Sequence, residues 1–178
     1  MRNLKNYIWT LPFIGALICI ISFFTPAAYF ENIVWNHTII NWIWGYYYDK
    51  LVSRYDQSIT IENGFYSEPI QFISSFITSV IIVFCILIII LYSYKNRTNL
   101  KNGIIKSITS LFPAVIIIIS TITWMIMMEI AELQIYGLSM WDRYTPNFGL
   151  IGMYIGATVI IVGFILIKKY SQEIIETR

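Results

Sequence analysis

Four runs of apolar residues, 7–30, 70–94, 104–130 and 148–167, constrain this chain more than any other feature. A helix rises 1.5 Å per residue, so about 20 apolar residues cover the ~30 Å hydrocarbon layer of a bilayer, and every run reaches that length. Only Lys106 and Glu129 bring charge into a run, each near an end of the third. Overall 12% of the residues are charged, against roughly a quarter in a soluble domain. A soluble fold is excluded. The pattern predicts an all-α membrane protein. It is a four-transmembrane-helix bundle forming a single membrane domain over 1–178, with outer loops 31–69 and 131–147 and an inner loop 95–103.

The charges set an orientation. Residues 1–6, 95–106 and 168–178 carry Arg2, Lys5, Lys95, Arg97, Lys101, Lys106, Lys168, Lys169 and Arg178, leaving Lys50, Arg54 and Arg143 for the other side. Nine basic residues against three place the first set, and with it both ends, in the cytoplasm of a cell membrane. Anionic headgroups account for the basic clusters, so no nucleic-acid partner is expected. The basic start and Pro26-Ala27-Ala28 resemble a cleavable signal. However, the apolar run is longer than an h-region of 7–15 residues, so it reads as a retained anchor. Cys19 and Cys85 fall inside predicted helices, where they read as small buried apolar groups.

Small residues recur at helical spacing. Gly149, Gly152, Gly156 and Gly163 mark one face of the last helix, as do Ser107, Ser110, Ala114 and Thr121 in the third and Gly15, Cys19 and Ser22 in the first. Ser75, Ser79 and Cys85 do so in the second. Lipid is as apolar as leucine, so membrane helices associate through close backbone approach, which small faces allow. The glycines are therefore expected at packing contacts, with the large Ile and Phe residues between them, Ile160 included, toward lipid.

Loop 31–69 is patterned as a small extracellular antiparallel β-sheet. Trp42, Trp44, Tyr46 and Tyr48 alternate along one side of a predicted strand, with Ile43, Gly45 and Tyr47 on the other. Residues 58–62 form a second run followed by Asn63-Gly64, a two-residue hairpin signal, and residues 33–35 supply a further strand. The four rings are either an interfacial belt or a surface for partners. Asn36-His37-Thr38 is a glycosylation sequon in this loop, with Asn36 the acceptor.

Catalytic chemistry is hard to place. His37 is the only histidine, which excludes sites built on several histidines. No phosphate-binding loop, nucleotide fingerprint or HExxH occurs. The middles of the four runs lack ionisable residues, which argues against an ion-coupled carrier. Glu129 and Glu132 share a helix face and, with Asp142, suggest either a cation site or, more simply, solvated carboxylates. No cofactor, metal or catalytic residue is expected.

The layout resembles the claudin and peripheral-myelin-protein superfamily of four-helix membrane proteins. Thr25-Pro26-Ala27-Ala28-Tyr29 stands where that family closes its first helix, Trp44-Gly45-Tyr46-Tyr47 is similar to its Gly-Leu-Trp motif, and the stretch from Phe148 to Gly156 is similar to the start of its fourth helix. The family's paired loop cysteines are absent, and Ala28 replaces its tryptophan. The resemblance implies an adhesion or assembly role. The expected function is a non-enzymatic membrane protein making contacts through its outer loops with copies of itself or other membrane subunits, besides lipid. The alternative is an accessory subunit of a respiratory or oxidase-type complex contacting quinone or lipid.

Overall fold

The structure, a computed structural model, describes residues 7–102 and 111–176, with side chains for 7–97 and 111–169. Ser107 and Ser110, and the start of the third predicted helix, lie outside these residues. Among the described residues three helices are long and apolar enough to cross a membrane: α2 (Pro69–Asn102), α3 (Phe112–Tyr136) and α5 (Phe148–Glu176). The chain is therefore a multi-pass membrane protein. Pro69 opens α2, where its missing N–H is no loss. Gly137, at φ +67°, closes α3 by returning its N–H to Leu133 O at 3.0 Å, the left-handed cap that glycine takes without strain.

The first apolar run forms a shorter helix than its sequence predicts. α1 spans Thr10–Phe24, 15 residues, or about 22 Å. Pro26 is the physical reason, because its ring disfavours helical backbone at Thr25. Ala28, Tyr29 and Phe30, expected at the helix end, instead begin β1 (Ala28–Asn32).

The remaining strands are β2 (His37–Asn41), β3 (Tyr46–Val52), β4 (Ile59–Phe65) and β5 (Thr145–Pro146), following the four-residue helix α4 (Met140–Arg143). They form one open antiparallel sheet in the order β4-β3-β2-β1-β5. β5 comes from the segment between α3 and α5, so the sheet is not confined to the first loop. It pairs Ala28 with Pro146 and Tyr29 with Thr145.

Three expected strand boundaries move. Residues 33–35 are a turn, with Ile33 81% exposed, and Asn36 adopts φ +46° to re-enter β2. Trp42 to Gly45 is also a turn. Gly45 N–H bonds Trp42 O at 3.0 Å and Trp42 N–H bonds Tyr46 O at 2.9 Å, with Gly45 at φ +89°. This is a three-residue hairpin with glycine at the left-handed position. Asn63-Gly64 does not turn the chain but continues β4, opposite Tyr48 and Tyr47. Only Phe65 to Glu68 separate it from α2, too few residues for a returning strand.

The chain divides into two compact units. One contains the sheet and lies within 21–80 and 120–152; the other lies within 1–20, 81–119 and 153–178. In the first, Ala27, Ala28, Ile43, Trp124, Met128 and Met140 are fully buried. In the second, Ala16, Cys19, Ile82, Ile89, Ile117, Met153 and Ile160 are. Ile160 therefore does not face lipid as the sequence suggests. It stands four residues after Gly156, on the same helix face, whereas Ile151, Ile155 and Ile165 are about half exposed.

Candidate functional site

The sheet ends on an unpaired strand. Among the described residues β4 has no neighbour on its outer side, and its residues are exposed almost throughout, including Ile59, Ile61 and Phe65 at 59%, 52% and 59%. Such an edge presents a row of free N–H and C=O groups to any extended chain. It contains no Pro or Lys, and its only charge is Glu62.

Beside this edge the aromatic side chains converge. Tyr46 and Tyr48 share a face of β3, while Trp42 and Trp44 reach Tyr46 from the turn rather than from a strand. Ring centroids lie 5.1 Å apart for Trp44–Tyr46, 5.5 Å for Trp42–Tyr46 and 6.2 Å for Trp42–Trp44. Phe65 of β4 joins at 6.0 Å from both Trp44 and Tyr46, and the series continues through Phe72 to Phe76 on α2. Tyr48 makes no ring contact in this group among the described residues; its backbone faces Ile40 and Asn63. Trp42 Nε1 donates to Phe24 O at 3.3 Å. Tyr47, on the opposite face of β3, stacks on Tyr66 at 6.0 Å. Phe65 and Phe72 were not singled out in sequence, because nothing there shows that β4 extends past Asn63-Gly64.

A buried polar group holds the segment after α3. Glu129 accepts the N–H groups of Met140 and Trp141 at 2.8 and 3.4 Å, a carboxylate at the start of α4. Glu132, 5% exposed, accepts from Gln71 Nε2 at 3.4 Å and pairs with Arg143 at 3.8 Å. The guanidinium of Arg143 also lies over Phe30, Tyr136 and Tyr144, 5.2 to 5.9 Å from their centroids. Glu129 and Glu132 are thus engaged by protein groups, and no cluster of three or more His, Cys, Asp or Glu side chains placed to hold a metal ion occurs among the described residues. Trp124 donates to Ser75 Oγ at 2.9 Å, joining α3 to α2. Burial pushes the phenols of Tyr66 and Tyr144 well above their usual range, and the nearby negative charge of Glu132 adds to this.

Gly152, Gly156 and Gly163 of α5 face α1, and Gly149 faces the two residues that follow that helix. A Cβ on Gly156 would lie 2.5 Å from Cys19 Sγ and 2.8 Å from Gly15 O, and one on Gly163 2.6 Å from Pro12 Cδ. One on Gly149 would meet the carbonyls of Thr25 and Pro26, and one on Gly152 the hydroxyl of Ser22. Asn36 is exposed at its turn, and His37 beside it contacts Asp49 Oδ1 at 2.7 Å. The turn before β4 is set by Asp56. It accepts from Ser53 and from the Ser58 N–H and hydroxyl, which lowers its carboxyl to about 2.

No protein-family model matches the chain, and no curated protein is significantly similar to it.

Proposed function

We propose that the chain crosses the membrane four times with both ends cytoplasmic, and that its outer sheet binds protein partners, copies of itself first among them. The observation that carries this reading is the β4 edge, exposed with its Ile and Phe side chains and flanked by the Trp42, Trp44, Tyr46 and Phe65 cluster. Backbone pairing at a sheet edge supplies affinity, and adjoining rings supply specificity and buried area. A claudin-like role is supported by the meander drawn from both loops and by Trp44-Gly45-Tyr46 at its turn. On this reading the protein is not an enzyme, the glycines of α5 are packing contacts that seat α1, and Asn36 is the accessible position for a glycan.

The test is recovery of cross-linked complexes from native membranes, with the attached chains identified. Trp44→Ala is expected to weaken association by about 2 kcal/mol while the helices still insert and fold, with a separate loss of thermal stability from its ring contacts to Trp42, Tyr46 and Phe65. Unchanged recovery after both Trp44→Ala and Tyr46→Ala removes the rings from the interface. Redox subunits among the attached chains instead of copies would move the protein to the respiratory-complex alternative.

A further inference from the structure

A groove of about 330 Å³ opens between α2 and α3, lined by Pro69, Ile70, Ile73, Ile77, Thr123 and Met127 with Ser74 and Thr78. Its lining is almost wholly apolar, and the Ser74 hydroxyl is already engaged, donating to Gln71 O at 3.1 Å. A polar ligand finds little to bind there.

We infer that this groove holds one hydrocarbon tail of a membrane lipid as a retained ligand. Both helices that form it are apolar membrane spans, so hydrocarbon is the phase at its mouth. Size separates a tail from a partner helix. A helix is ~10–12 Å across with its side chains, so 330 Å³ is less than one turn of it. At ~30 Å³ for a unit the size of a water molecule or a methylene, the same space takes roughly eleven such units, most of a single tail. The groove starts at Pro69, the first residue of α2 and four residues from the end of β4. From there to Thr78 it follows α2 for about 13 Å. A tail can therefore enter at the helix end that adjoins the sheet and run along the span.

The full chain, reconstituted in phosphatidylcholine vesicles carrying a small fraction of phosphatidylcholine with a diazirine in one tail, provides the test. After illumination, adducts should concentrate on Ile73, Ile77 and Met127 rather than spread over exposed residues such as Val83 and Ile151. Thr123→Trp fills the groove and should cut adducts at these positions at least tenfold. Ile122→Trp, at a neighbouring exposed position that does not line the groove, should leave them unchanged. Ser74→Phe gives a second filling variant if Thr123→Trp does not fold. Uniform labelling, or labelling that survives both filling variants, overturns the proposal. Weak labelling together with a filling variant that turns a dimer into monomer also overturns it, because a second copy would then occupy the groove.

Discussion

Arg143→Met isolates the interaction that fixes the segment between α3 and α5. Glu132 is 5% exposed, and one of its carboxylate oxygens has Arg143, at 3.8 Å, as its charged partner. The other accepts a long bond of 3.4 Å from Gln71. Methionine keeps most of the apolar stem but removes the guanidinium, leaving a buried carboxylate with one weak bond. Breaking a buried pair from one side costs about 3–5 kcal/mol. Arg143 keeps 28% side-chain exposure, so water reaches the site and screens the pair, which lowers the cost to the bottom of that range and below it, about 2–3 kcal/mol. Glu132→Gln removes the charge itself and leaves a cation that water can solvate, so about 1 kcal/mol is expected. The double variant should resemble Glu132→Gln alone, a coupling of about 2–3 kcal/mol in magnitude. Unfolding in mixed micelles measures all four proteins. Arg143→Met within 0.5 kcal/mol of wild type, or Glu132→Gln as the worse single variant, refutes the reasoning.

Three further outcomes follow from the same geometry. Gly156→Leu should lose about 2–3 kcal/mol, because its Cβ has no room beside Cys19 and Gly15, as in an overpacked core; Ile155→Val, at a half-exposed position, should stay within about 0.5 kcal/mol. Equal losses in detergent unfolding would show that the glycines are not contacts. Asp56 has a depressed carboxyl, so its contribution to the turn is complete above the ordinary 3.8 and disappears as pH falls through about 2. An NMR titration of that carboxyl should show a midpoint near 2, and a midpoint near 3.8 would mean that the Ser53 and Ser58 bonds do not form. Gly45→Ala should loosen the β2–β3 turn by about 1 kcal/mol or more, since φ is +89° there, and hydrogen exchange at Trp42 N–H reports it.

The legible parts of this fold were those written as long-range composition. Apolar runs locate α2, α3 and α5 because a span needs many consecutive residues and few other structures tolerate them. The end of α1 depended on a single residue, Pro26. The sheet was visible as alternation, but its turns were not. Trp42 to Trp44 reads as strand until Gly45 is given its positive φ, and Asn63-Gly64 reads as a turn until the short distance to α2 is counted. The buried pair leaves only a faint signal in the sequence, an acidic residue near the end of an apolar run and a lone Arg in the next loop, a pattern that solvated carboxylates share. What hid it was Gln71, 61 residues from Glu132. Ile160 shows the same limit within one helix, where counting from Gly156 by four would have put it among the contacts.

The orientation of the sheet is the claim on which the rest depends, and cysteine labelling measures it. Cys19 and Cys85 are free and buried, so single cysteines introduced at Ser58 and at Asn99 report on their own sides. On intact cells an impermeant maleimide should modify the Ser58→Cys protein and leave Asn99→Cys untouched until the membrane is opened. Labelling of Asn99→Cys from outside, with Ser58→Cys protected, would put the sheet in the cytoplasm and contradict the account.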